Sequence, residues 1–323
     1  MFIDKIHIRV QAGSGGKGCE SYFRRTDRKL VPNGGDGGNG GSVIFRADTN
    51  APSLKSFKYR QTLAAESGGH GSSNKKRGKN GKDLLILVPF GTRLYDAKRN
   101  FLIRDLAEEK EEVVVLQGGR GGTGNQGGRE VRAAGKGEVL ELEISFRIMA
   151  DIFFVGIPNS GKSTLLNALT RTHLIETDYP FATRAPEIGV HAASDYEQLT
   201  LCELPSIYEA SHKGKGMGID FLKHLEKAKL IFCVLDPVSK FSNSLAEALA
   251  ILRKEIEALE PQYLQFPYAV IVNKMDLPEA KKKVEKESFQ PGVPCFFISA
   301  LTGEGMKALK DFLKMKSQEF LHG

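Results

Sequence analysis

Residues 156 to 163 read G-I-P-N-S-G-K-S, with the apolar run F-F-V before them and T-L-L-N-A-L after. This is a full G-x-x-x-x-G-K-S/T pattern in the strand–loop–helix setting it requires, and its chemistry is capture of a phosphate chain. Through Gly156, Ile157, Pro158, Asn159, Ser160 and Gly161 the backbone turns its N–H groups inward, Pro158 shaping the turn without donating one. A helix opening near Lys162 adds the positive end of its dipole. Lys162 reaches the β- and γ-phosphates, the Ser163 hydroxyl suits Mg2+, and Thr164 completes the phosphate-contacting set. A second constellation, V-I-V-N-K-M-D at 270–276, names the base. The two oxygens of Asp276 can accept both the N1–H and the N2–H2 of guanine. Adenine offers no such donor pair, so an ATP reading leaves that carboxylate buried and unpaired. Asn273 and Lys274 fit edge and face contacts to the ring. In I-S-A-L-T-G-E-G the backbone N–H groups of Ser299 and Ala300 can meet the guanine carbonyl oxygen. Alone, N-K-x-D is a weak signal; at a strand end downstream of a phosphate loop it is a strong one.

The elements that must hold these residues read as strands at 152–155, 199–203, 230–236, 269–273 and 295–299. Helices are expected at 162–170, 218–227, 244–259 and 305–318, with a solvated one over 281–287. Ile219, Phe221, Leu222 and Leu225 form an apolar face against the sheet. Strands alternating with long helices imply an α/β fold with a mainly parallel sheet over residues 148–323.

Residues 1–147 follow another grammar. Of the 35 glycines, 25 lie before residue 151, in clusters between strand-like segments at 6–10, 42–47, 84–89, 112–116 and 139–146. Flexible linkers between such short strands would leave the strands without a shared core. A single all-β domain, its glycine loops packed as extended segments whose missing side chains let backbones approach, fits better. This half carries 26 Lys/Arg against 17 Asp/Glu, or +9, and the other half 20 against 22, or −2, which sum to the net +7. Arg120, Arg129, Arg132, Lys136 and the run Lys75-Lys76-Arg77 sit in the glycine loops. Cationic loops with bare backbone suit phosphate contact without base reading, so the expected partner is a polyanion and DNA sequence readout is not expected.

Four scattered cysteines, Cys19, Cys202, Cys233 and Cys295, read as reduced thiols. His7, His173 and His191 read as strand or loop surface residues, without metal-ligand spacing. No apolar run reaches membrane-spanning length. The N-terminus goes straight into strand alternation, without the layout of a signal or transit peptide.

FIDKIHIRVQAGSGGKG, NGGDGGNGG, GGRGGTGN, GIPNSGKST, DYPFATRAPEIGV, GKGMGIDFLKHLEKA and NKMDLP together make nearly the whole chain resemble the Obg family of ribosome-associated GTPases. The resemblance implies an N-terminal barrel with glycine-rich helices ahead of a P-loop GTPase domain. It implies GTP/GDP and Mg2+ as cofactors and action in large ribosomal subunit assembly, with nucleotide state controlling docking of the basic domain on rRNA. A monomer in the cytoplasm is expected; a mitochondrial or other organelle matrix fits equally. Some members carry a third domain, which is not expected after the helix around Phe312–Phe320.

The resemblance assigns Phe181 and Thr183 to the nucleotide, Thr183 as a second Mg2+ ligand. Where the family reads D-Y-P-F-T-T-L, this chain has Ala182 and Arg184. Where it reads D-x-P-G, this chain has Glu203-Leu204-Pro205-Ser206. Glu203 keeps the charge that holds a Mg2+-bound water, on one more methylene. Ser206 keeps an N–H for the γ-phosphate but tolerates fewer backbone angles than glycine. Ile207 stands where the best-known GTPases place the water-orienting Gln. In related GTPases a loop Asn corresponding to Asn159 ligates K+, which makes K+ a further candidate. Lys162, Thr183, Glu203 and Ser206 are the expected catalytic set, with slow hydrolysis. Two alternatives stay open: a GTP-binding ribosomal scaffold whose hydrolysis is lost, and a GTPase acting on tRNA or stress signalling.

Overall fold

The structure, a computed structural model, describes residues 3–48, 50–51, 54–170, 185–194, 197–207 and 219–322. His173, Phe181, Ala182, Thr183 and Arg184 lie outside the described residues. The chain divides into two compact units, Phe2–Arg147 and Ile148–Gly323.

The first unit carries β1 (Lys5–Gln11), β2 (Tyr22–Arg24), β3 (Leu30–Pro32), β4 (Val43–Ala47), β5 (Thr62–Ala64), β6 (Leu84–Val88), β7 (Thr92–Asp96), β8 (Phe101–Leu106), β9 (Glu112–Leu116) and β10 (Val139–Phe146). Among the described residues one sheet runs β5-β1-β10-β7-β8 and another β6-β4-β9, while β2 and β3 form a separate hairpin. Period-two alternation builds the core. Val43, Phe45 and Ala47 are fully buried while Ile44 and Arg46 between them are not. They meet Val10, Val88, Leu94, Leu106, Leu142 and Ile144 in one cluster. Strands β7 and β8 escape the sequence reading because charges interrupt their apolar pattern. The fold pairs those charges across the ladder, Arg93 Nε to Asp105 Oδ2 at 2.9 Å.

The glycine segments are not linkers. The amides of Gly13, Gly16 and Cys19 donate to the carbonyls of Gly41, Gly38 and Gly35 at 2.8–2.9 Å. Gly119 and Gly122 donate to Gly13 and Gly16, and Gly37 and Gly40 to Gly122 and Gly119. Partners recur every third residue, the repeat of a polyproline II helix, and glycine at the crowded positions lets neighbouring backbones bond directly. A Cβ on Gly16 would lie 1.9 Å from the Gly69 carbonyl oxygen, and one on Gly37 1.8 Å from that of Gly16. Neither has a left-handed φ, so these glycines are required for space and not for backbone freedom.

The second unit carries β11 (Ile152–Gly156), β12 (Glu187–Ala192), β13 (Gln198–Glu203), β14 (Leu230–Leu235), β15 (Tyr268–Val272) and β16 (Cys295–Phe297) in the order β12-β13-β11-β14-β15-β16. All pairs are parallel except β12 with β13. The helices are α1 (Lys162–Leu169), α2 (Ile219–Leu222), α3 (Leu245–Leu259), α4 (Pro278–Glu287) and α5 (Met306–His322). Ser244 caps α3, its Oγ accepting from the Glu247 N–H at 3.1 Å. The single helix expected at 218–227 is instead α2 followed by a 3-10 turn, Lys223–Lys227. Leu222 and Leu225 are nevertheless fully buried. Phe154 stacks on Phe232 at 5.6 Å in the core, with Leu165, Leu166, Leu309 and Leu313 around them.

Strand β12 shows why an edge can hide from sequence. Its apolar Ile188 and Val190 face out, 45% and 49% exposed, while Gly189 and His191 face in. His191 is therefore buried, correcting its expected surface position, and its Nδ1 lies 2.6 Å from the Leu169 carbonyl oxygen. Among the described residues no helix is long and apolar enough to cross a membrane.

Candidate functional site

Strand β11 ends in Gly156 and releases the chain into the loop that α1 closes. A Cβ on Gly156 would meet the Val234 carbonyl oxygen at 2.6 Å. Gly161 sits at φ 84° as the residue before α1, and a Cβ there would meet Asn273 Nδ2 at 2.2 Å. Both glycines are thus demanded, the second by backbone angle and by space. Asn159 occupies the exposed part of the loop at φ 61°; Ile157, Pro158 and Ser160 are buried.

Lys162 is only 4% exposed. Its Nζ donates to the carbonyls of Gly156 and Ile157, each at 3.2 Å, and to Ser206 Oγ at 2.9 Å. Burial pulls its ammonium down to about 8, and the Glu203 carboxylate opposes that fall. Beside it, Ser163 Oγ donates to Glu203 Oε1 at 3.0 Å. Glu203 ends β13, paired parallel with β11 at Phe154. The chain beyond it is pinned at two points: Leu204 N–H donates to the Phe154 carbonyl and Ile207 N–H to that of Gly156, both at 3.1 Å. Ile207 is fully buried, an anchor that faces no solvent. Thr164 lies half-buried on the first turn of α1.

At the far side of the loop Asn273 ties three distant segments together. Its Nδ2 donates to the Ser160 carbonyl and its Oδ1 accepts from the Ala300 N–H, each at 3.0 Å. Asp276 Oδ1 accepts from Ser299 Oγ at 2.7 Å. The Ser299 N–H donates to the Glu304 carbonyl at 2.9 Å. The two amides expected to face the guanine carbonyl therefore already have partners within the protein. Ser299 acts here through its side chain, which orients Asp276. Lys274 Nζ pairs with Asp236 Oδ2 at 2.7 Å. Asp236 escaped the sequence reading, although it stands at the end of an expected strand. Glu187 escaped it too. It lies opposite Glu203 across β12 and β13, and partial desolvation and then the Glu203 charge hold its carboxyl above the usual range.

In the first unit, cations collect where three turns meet at one end of the glycine bundle. Asn33 Nδ2 donates to Asn74 Oδ1 at 3.1 Å, and Asn125 Oδ1 accepts from the Gly34 N–H at 2.8 Å. Around these joints lie exposed Arg24, Arg25, Arg28, Lys29, Lys75, Lys76 and Arg77. Exposed Tyr22, Phe23 and Leu30 accompany them on the β2–β3 hairpin, which the sequence reading missed. Its stretch S-Y-F-R-R-T-D-R-K-L interleaves aromatic and cationic residues, the signal that would have found it. Arg129 is tied to Asp36 at 2.9 Å and serves the bundle. The Gly124 backbone N–H, first, and Arg129 hold that Asp36 carboxyl below its usual range. Arg120, Arg132 and Lys136 are exposed elsewhere on the bundle.

Residues 3–137 match the family model described as GTP1/OBG, and residues 151–274 that of a 50S ribosome-binding GTPase. The chain is 39% identical to GTPase Obg of Chlorobaculum tepidum over 321 residues, covering 97% of this chain and 94% of the relative. It is 38% identical to GTPase Obg of Protochlamydia amoebophila, covering 96% and 95%. Among solved structures, Era in complex with MgGDPNP and nucleotides 1506–1542 of 16S ribosomal RNA is 27% identical at a TM-score of 0.42, with 52% of this chain and 57% of that chain covered. NFeoB from S. thermophilus bound to GDP.AlF4- and K+ is 26% identical at a TM-score of 0.39, with 53% and 61% covered. The near-full-length identity to its bacterial relatives makes this chain a member of the Obg family of GTPases.

Proposed function

We propose that this Obg-family protein binds GTP between the Gly156–Ser163 loop and the Asn273–Asp276 turn and hydrolyses it slowly. We further propose that its nucleotide state controls docking of the basic glycine-rich unit on rRNA of the large ribosomal subunit during assembly. The observation that carries the nucleotide reading is the Asn273 bridge. One side chain joins the phosphate loop to the turn holding Ser299 and Ala300, as a single ligand spanning both would require. Asp276, held by Ser299, takes the guanine edge, and Lys274, held by Asp236, takes the ring face.

The oxygen set fits a hard cation: the Ser163 hydroxyl and the Glu203 carboxylate already meet. Ser163 and Thr183 would hold Mg2+, with Glu203 acting through a bound water. The metal would supply charge neutralisation on the phosphates. Asn159, exposed in the loop, is the proposed K+ contact. In hydrolysis water attacks the γ-phosphorus, GDP leaves, and phosphate is released. Lys162 and the loop amides stabilise charge on the transferring group. Ile207, buried, cannot orient that water, so slow turnover is expected of the chain alone.

The convergent cationic tip with exposed Tyr22 and Phe23 supports the RNA reading, since cations meet phosphates and aromatic faces stack on bases. A bacterial cytosol or an organelle matrix fits this partner, and the chain is proposed to act as a monomer. The scaffold alternative draws on the Lys162–Ser206 and Ser163–Glu203 bonds, which occupy groups that hydrolysis needs. Phosphate release, with and without purified large subunits and K+, decides between them. Stimulated turnover is expected; GTP binding with no turnover under any condition leaves the scaffold, and turnover stimulated by tRNA alone would redirect the partner.

A further inference from the structure

We propose that Ser206 is a specificity-determining residue that biases this site toward GDP over GTP by competing for the Lys162 ammonium. The inference rests on the guanine-nucleotide reading of the site and goes beyond it, because it assigns a preference between two ligands. An ammonium has three donors and no acceptor. Here all three are placed: two on carbonyls of the phosphate loop itself and the shortest, 2.9 Å, on Ser206 Oγ. The Ser206 bond alone leaves the loop, toward the segment that follows β13, which the family resemblance places at the terminal phosphate.

Ser206 is no wandering surface hydroxyl. Leu204 and Ile207 flank it, both fully buried and both hydrogen-bonded to β11 and its end. The hydroxyl is therefore held against Lys162 by backbone on either side, at little further entropic cost. A glycine at this position has no such group. Lys162 reaches both the β- and the γ-phosphate, so GDP draws on one of its donors and GTP on a second. The β-phosphate can take a donor from a loop carbonyl and is also met by the loop amides, while the γ-phosphate must displace the Ser206 hydroxyl. Glu203 does the parallel thing to Ser163, so the two departures act on neighbouring residues of one loop.

The test is a fluorescence titration of the full chain with GDP and with a non-hydrolysable GTP analogue, in the wild type, Ser206→Ala and Ser206→Thr. Ser206→Ala, which removes the hydroxyl and keeps the backbone restricted, should tighten the triphosphate by about tenfold and move GDP by less than about twofold, the scale of one hydrogen bond to a charged group. Ser206→Thr, which restores a hydroxyl, should restore the wild-type ratio. An Ala variant that shifts both nucleotides equally, or weakens the triphosphate, overturns the inference and leaves the nucleotide site standing. A wild type that binds neither nucleotide removes the site and the inference together.

Discussion

The glycine bundle and the nucleotide loop both depend on glycine, for different reasons. In the bundle, Gly16 and Gly37 have ordinary backbone angles but carbonyl oxygens stand within 2 Å of where a Cβ would go. In the loop, Gly161 is left-handed at φ 84° and also crowded by a side chain. Bundle geometry is set by backbone on backbone, which has no rotamer to yield. Loop geometry is set by polar side chains, each of which can exchange partners. One region is built to hold its shape; the other is held by contacts that can be exchanged, as the proposed nucleotide site requires.

The sharpest way to break that contrast is to add one methyl group. Gly37→Ala should cost about 4 kcal/mol or more, or abolish folding of the first unit, because backbone must move to admit it. Gly127, at φ 67° with nothing within 4 Å of its Cβ position, should lose only about 1 kcal/mol when changed to Ala. Thermal unfolding of the two variants compares them directly. Similar losses would mean the bundle relaxes more readily than its contacts imply.

Next in size, Lys162→Ala should weaken GTP by about 100-fold or more, on the scale of removing a charged phosphate contact, while leaving the melting temperature of the first unit unchanged. The wild-type affinity should depend on pH in a stated direction. The buried ammonium has its value lowered to about 8, below the ordinary lysine value, so above pH 8 the protein must take up a proton to present a cation. GTP affinity should fall by up to about tenfold per pH unit between about 8 and 10. In the same window the protein alone should gain stability, because the unfolded chain holds the proton that the folded chain releases. Calorimetry across that range reads both signs, and a flat affinity profile would remove Lys162 from the phosphates.

Much of this second region was legible because its chemistry is local in sequence. G-I-P-N-S-G-K-S and N-K-M-D each sit at the end of a strongly apolar strand, and Glu203 and Ser206 follow another. The partners that tune them were not legible. Asp236 and Glu187 reach the site only through sheet order, and the amides of Ser299 and Ala300 are claimed by folding contacts that no spacing reveals. The bundle was legible only as composition. Its three-residue repeat is clear in N-G-G-D-G-G-N-G-G, but which segment pairs with which depends on the strands between. Strands β7 and β8, and the β2–β3 hairpin, were hidden by the charges that pair or face solvent in the fold.

The hairpin offers a smaller test, on the rigid side of the comparison. If the bundle presents a preformed cationic tip, replacing Arg24 and Arg25 by Ala should weaken binding to large subunits several-fold without changing stability. The slope of log affinity against log salt should fall by about 0.7 to 0.9 for each phosphate that is no longer neutralised. Equal weakening from Arg129→Ala would need a fall in stability as well, since that guanidinium holds Asp36. A salt-independent affinity would contradict the polyanion reading.

The smallest effect returns to the pliable side. Glu187 and Glu203 face each other across β12 and β13, and desolvation together with the Glu203 charge raises the Glu187 carboxyl above its ordinary value. A raised carboxyl favours the fold while protonated, and that contribution is lost as pH rises through the folded value. Glu187→Gln keeps the shape and deletes the repulsion. Solvent screens the repulsion at this exposed edge, so the variant should raise the melting temperature at pH 7 by no more than about a degree and change it little at pH 4. A Gln variant that is less stable at pH 7 would mean that Glu187 has a favourable partner in solution outweighing its neighbour, and the edge strand would then belong with the parts of the molecule built to hold.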